Sequence, residues 1–106
     1  MEQEKKEKLF LKLFDTWGEE AQIRMCIEEM SELTKELCKY LRYKNFDTEK
    51  IEKVKENIIE EIADVLLCSQ QMQLLFGKDK VEQELDYKIN RVEKRVNEYI
   101  EKHKNN

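Results

Sequence analysis

Glu28-Glu29-Met30-Ser31-Glu32 and Glu60-Glu61-Ile62-Ala63-Asp64 each hold carboxylates three residues apart. On a helix that spacing projects the side chains to one side. Glu29 with Glu32, facing Glu61 with Asp64 on an antiparallel helix, would form a cup of oxygens without nitrogen or sulfur. Such a donor set suits Mg²⁺, or Mn²⁺ in its place, and not Zn²⁺. A hard ion held by few protein oxygens keeps positions open for phosphate and water, so cleavage of a phosphoanhydride is the natural reaction class. The second segment runs straight into Val65-Leu66-Leu67-Cys68. Unpaired carboxylates in an apolar stretch cost on the order of several kcal/mol each, and a bound cation relieves that cost.

The elements that must position these groups are helices. Pro is absent, Gly occurs at positions 18 and 77 alone, and Glu, Lys, Leu, Ile and Gln dominate, all compatible with helix. An all-α, antiparallel four-helix bundle-like fold in one domain, 1–106, is expected, with a polar tail over about 103–106. The first helix should span about Gln3 to Phe14, with Leu9, Phe10, Leu13 and Phe14 inward. Asp15-Thr16-Trp17-Gly18 should break it, with Asp15 or Thr16 capping the next helix. Helix two should run from about Glu19 to Tyr43, and Asp47 or Thr48 should cap a third helix reaching from about Glu49 to Phe76. Gly77 is a left-handed terminator. Lys78-Asp79-Lys80 then leads into a fourth helix over about Val81 to Lys102.

At about 100° per residue, Ile23, Cys26, Met30, Leu33, Leu37 and Leu41 form one apolar stripe on helix two. Gln22, Glu29, Glu32 and Glu36 line its margin, whereas Glu28 turns toward solvent. The first half of helix three looks solvated. From Ile58 to Phe76 apolar residues occupy nearly every direction, which predicts a central, buried segment. Glu61 shares its direction with Val65, Cys68 and Met72, and Asp64 shares one with Leu67, Cys68, Gln71 and Leu75, so both acids should reach water poorly. On helix four, Lys88, Arg91 and Arg95 flank the stripe Val81, Leu85, Ile89, Val92 and Val96. These cations could neutralise a polyphosphate. They could equally supply ion pairs to Glu61 and Asp64, and the pattern leaves both readings open.

Other function classes lose support. A charged fraction of 42% with a net charge of −4 describes a mixed surface, without the basic field that nucleic acid requires. The apolar run from Ile62 to Cys68 is interrupted by Asp64, far short of a membrane span. Met1-Glu2-Gln3-Glu4-Lys5-Lys6 carries no signal-peptide core, so a cytoplasmic location is expected. Cys26, Cys38 and Cys68 form no Cys-x-x-Cys pair and read as reduced, buried thiols. His103 is the single histidine; it lies in the polar tail, which excludes Ser-His and Cys-His machinery within one chain and disfavours a ferritin-type di-iron site.

The order Glu28-Glu29-x-x-Glu32, spacer, Glu61-x-x-Asp64 resembles the signature of the MazG-like family of all-α nucleoside triphosphate pyrophosphohydrolases. The likeness extends to Trp17-Gly18 and Gln22 before the first motif, to Ile62-Ala63-Asp64-Val65, and to Lys88 and Arg91 after it. The resemblance implies Mg²⁺-dependent cleavage between the α and β phosphates of a nucleoside triphosphate, releasing the monophosphate and pyrophosphate. It implies Glu29, Glu32, Glu61 and Asp64 as metal ligands and Lys88 and Arg91 on the phosphates; Arg95 beside them is a candidate from the helix-four pattern, and a mechanism follows in which Glu28 or Glu29 orients the attacking water. Trp17 and Gln22 would meet the nucleoside, although Trp17 also suits core or interface packing. A homodimer or homotetramer is implied as well. The competing reading is a non-catalytic helical-bundle interaction protein whose acids are satisfied by Lys and Arg.

Overall fold

A computed structural model describes residues 2–104 as four α-helices with no strand among them. They are α1 (Glu2–Trp17), α2 (Glu19–Tyr43), α3 (Thr48–Phe76) and α4 (Lys78–His103). No helix among the described residues is long and apolar enough to cross a membrane.

Helix boundaries follow backbone freedom more than side-chain preference. α1 runs through Asp15 and Thr16, where a break was expected, and stops at Gly18. The propensity deficit of Asp and Thr is under about 1 kcal/mol per residue and does not outweigh a continuing helix. Gly18 does end it: its φ of +90° lies where L side chains are strained, although a Cβ there would meet nothing within 4 Å. Gly18 is also the N-cap of α2, without a side-chain cap, so neither Asp15 nor Thr16 fills that role. At the next junction the expected cap forms. Asp47 Oδ1 accepts the Lys50 N–H at 3.0 Å. Gly77 has φ +129° and separates α3 from a fourth helix that begins at Lys78, so Lys78-Asp79-Lys80 belongs to α4 and not to a linker. Asp79 in that first turn suits the helix dipole. His103 remains helical, and positions 105 and 106 of the expected polar tail lie outside the described residues.

The chain divides into two compact units, 1–74 and 75–106. In the first unit α1 contacts α2. α2 and α3 run antiparallel, because partners step in opposite directions along them: Glu36 meets Asn57, Glu29 meets Glu61 and Asp64, and Cys26 lies against Cys68. The second unit is essentially α4, which has no buried residue.

The apolar core is small: Phe10, Cys26, Ile51, Val54 and Cys68 are buried. Ile51 and Val54 come from the half of α3 that was expected to be solvated. The half expected to be buried leaves Ile59 68%, Ile62 43%, Leu66 57% and Leu67 48% exposed. Met30, Leu37 and Leu41 of the α2 stripe, and Leu9 of α1, are exposed as well. A helix with apolar side chains in every direction is buried only where neighbours surround it. Cys38, expected inside, is exposed; all three cysteines are unpaired thiols.

Candidate metal centre

Glu29 projects from α2, and Glu61 and Asp64 from successive turns of α3. Each offers a carboxylate oxygen, and these oxygens lie within 4.8 Å of one another. The local cause is simple. Residues three apart share a helix face, so α3 delivers Glu61 and Asp64 together, and the antiparallel register brings Glu29 opposite them.

No ion pair among the described residues reaches these three acids. One Glu61 oxygen, Oε2, is buried without a hydrogen-bond partner. Burial, reinforced by contact with Glu61 and the charge of Asp64, pushes the Glu29 carboxyl from its ordinary 4.5 up to about 7. Without a cation the cluster therefore keeps a proton near neutrality, because carboxylates this close cannot all ionise cheaply. An orphaned buried oxygen, an all-oxygen donor set and the lack of a protein cation together mark Glu29, Glu61 and Asp64 as a group that could hold a metal ion.

Other expected site residues fall in different places. Glu32 is exposed and stands outside the three-carboxylate group, and Glu28 is exposed too. Asp64, expected to be shielded, is exposed, whereas Glu61 is partly buried. Lys88, Arg91 and Arg95 are exposed on α4, and the Arg91 guanidinium sits 5.7 Å above the Tyr87 ring. Glu36, on the margin of the α2 stripe, is buried and balanced: Lys39 Nζ is 3.3 Å away and Asn57 Nδ2 donates to it at 3.5 Å.

A cavity of about 570 Å³ adjoins the carboxylates. Its lining includes Glu29 and Asp64, apolar walls from Leu13, Met25 and Leu67, and the side chains of Trp17, Gln22 and Gln71. Trp17 is 65% exposed, so it is a cavity wall and not core. Gln22 is buried. Gln71 was visible in sequence as a polar residue two turns after Asp64 on the same face, yet nothing in the motif marked it for a role. Cys68, also in the lining, is inert: burial and the neighbouring Cys26 push its thiol up to about 12.

Comparison with protein-family models, with curated proteins and with solved structures finds no match.

Proposed function

We propose that this chain is a Mg²⁺-dependent nucleoside triphosphate pyrophosphohydrolase that converts its substrate to the nucleoside monophosphate and pyrophosphate. One observation carries the reading: Glu29, Glu61 and Asp64 converge within 4.8 Å without a protein cation to balance them. Those three residues would hold the ion, with Glu32 at the neighbouring turn of α2 as the fourth acid of the motif. A bound divalent ion would supply charge neutralisation for phosphate oxygens and acidify a water molecule. Glu29, or its exposed neighbour Glu28, would orient the attacking water. Lys88, Arg91 and Arg95 supply positive charge for the polyphosphate in this reading. The cavity beside Glu29 and Asp64 takes the nucleoside, with Trp17 and Gln22 in its lining.

A homodimer or homotetramer belongs to the same proposal. α4 has no buried residue, and its stripe Val81, Leu85, Ile89, Val92 and Val96 is 38–54% exposed, apolar surface that a further copy of the chain could cover. That surface also suits the competing interaction-protein reading. Ion pairs to Glu61 and Asp64 would favour that alternative, and the described residues provide none.

The test is a panel of ribo- and deoxyribonucleoside triphosphates with Mg²⁺ or Mn²⁺, scored for pyrophosphate against orthophosphate. Pyrophosphate release that stops on chelation is expected. Orthophosphate as the sole product, or no turnover of any triphosphate, defeats the proposal.

A further inference from the structure

Leu85, Ile89, Val92, Val96, Tyr99 and His103 of α4 follow the alternating four- and three-residue steps of a heptad seam. Ile89, Val96 and His103 take the a positions, and Leu85, Val92 and Tyr99 take the d positions. The five members before His103 are 49–64% exposed, and His103 is exposed too. The Tyr99 and His103 rings stack with centroids 4.1 Å apart and continue the seam to the end of the helix. β-Branched Ile89 and Val96 at a, with Leu85 at d, favour two strands over three or four. The flanks of the seam differ in sign. Asp86 and Glu93 stand at e, whereas Lys88, Arg95 and Lys102 stand at g. Asp86, Lys88, Glu93 and Arg95 enter no ion pair among the described residues.

We infer that α4 pairs with α4 of a second copy of this chain, as a parallel two-stranded coiled coil over residues 85–103. Charge selects both the occupant and its direction. In a parallel pair, a g side chain meets the next e side chain of the other strand. Lys88 then lies beside Glu93 of the second copy, and two-fold symmetry repeats the pair. Arg95 meets Ile100 of the second copy, where its aliphatic stem can cover the apolar side chain. In an antiparallel pair, g meets g and e meets e. Lysine and arginine would face lysine and arginine, and Asp86 and Glu93 would face acids, so that direction is repelled. This pairing gives the oligomer of the proposed function a face and a direction, and it rests on that part of the reading alone. It engages Lys88 with a carboxylate and leaves Arg91, which stands outside the seam, and Arg95 for the phosphates.

Sedimentation equilibrium of the full chain at low salt, without nucleotide or metal, tests this. Reversible self-association is expected, and a chain still monomeric at about 100 μM overturns the pairing. Lys88→Glu and Glu93→Lys should each weaken association about 10-fold, because two symmetric attractions become repulsions. The two substitutions change net charge in opposite directions, so a loss common to both reports the pair and not the overall charge. Mixed in equal amounts, or combined in one chain, they should restore wild-type affinity. Both positions are exposed, so neither variant is expected to disturb folding. Tighter association of Lys88→Glu would mark antiparallel pairing and overturn the inference. An affinity blind to both substitutions, or a loss that neither mixing nor combination rescues, overturns it as well. Val92→Ser should weaken association at least about 100-fold, since each copy loses a seam side chain; an unchanged affinity would place the contact on another face. If this pattern appears but triphosphates are not cleaved, the hydrolase proposal fails and the pairing stands. If protein that stays monomeric releases pyrophosphate, the hydrolase proposal stands and the pairing fails.

Discussion

Near the connector between α2 and α3, Glu36 is buried with Lys39 3.3 Å away and the Asn57 amide donating to it. Two turns toward the start of α2, Glu29 faces Glu61 and Asp64 with no cation beside any of them. The same pair of helices thus carries acid in two places and resolves it oppositely. Around Glu36 the acid has its partners, and Ile51 and Val54 at that end of α3 are among the buried side chains. Around Glu29 the packing opens into a cavity whose lining includes an unsatisfied glutamine. A protein selected for stability alone would treat both ends alike, since an unpaired buried charge or amide is costly. The end left uncompensated is the one whose acids themselves line a cavity, of about 570 Å³, against about 230 Å³ for the space beside Lys39 and Asn57.

The largest expected effect lies at the open end. Asp64→Asn should lower kcat/KM for triphosphate hydrolysis by at least about 100-fold, since even outer-shell partners of metal ligands cost about 10–100-fold. Helical circular dichroism should be retained. Full Mg²⁺-dependent turnover in the purified variant would remove the carboxylate group from the mechanism.

Next comes a pair of substitutions with opposite signs. Glu36→Gln weakens a satisfied ion pair and should destabilise the protein by about 1 kcal/mol. Glu61→Gln relieves repulsion and should stabilise the metal-free protein by about 1 kcal/mol at pH 8. Urea unfolding with a chelator present reads both, and losses of equal size at the two positions would erase the contrast.

The pH response sharpens the comparison further. Glu29 is raised from 4.5 to about 7 in the folded state, so between those values the folded protein binds more protons than the unfolded chain. Its contribution to stability is therefore full below about 4.5 and falls away as pH rises through 7. Metal-free protein should lose stability over that window, and Mg²⁺ should flatten or reverse the slope by occupying the deprotonated cluster. A metal-free profile that climbs over the same window would contradict the crowding of these carboxylates.

The smallest effect belongs to a pair distant from both ends. Arg24 is paired with Glu20 one turn earlier in full solvent, and Arg24→Ala should change stability by no more than about 0.5 kcal/mol. The Mg²⁺-induced shift in melting temperature should be untouched. A larger change in either would mean that exposed pairs on α2 participate in the contrast.

Much of the site was legible before any coordinates. The three-residue spacing of Glu61 and Asp64, and the separation of Glu29 from Glu28 on the wheel of α2, are helix geometry and need no neighbours. Gln71 was legible as a direction on α3 but not as a role, because an amide in an apolar stripe looks the same whether a protein partner meets it or none does. The burial along α3 departs from its sequence pattern for a related reason. Hydrophobic pattern reports which faces can be covered, and not how many helices are present to cover them.

What the chain determined alone was its helices. Propensity and the absence of proline act over a few residues, and Gly18 and Gly77, with φ of +90° and +129°, end helices wherever the rest of the molecule lies. The Glu36–Lys39 pair is local to α2, three residues apart, but tertiary structure decided which acids gain a partner from the other helix and which meet each other. That outcome depends on the antiparallel register of α2 and α3, which sets Asn57 against Glu36 and Asp64 against Glu29, and register is a property of two packed surfaces that neither helix encodes by itself.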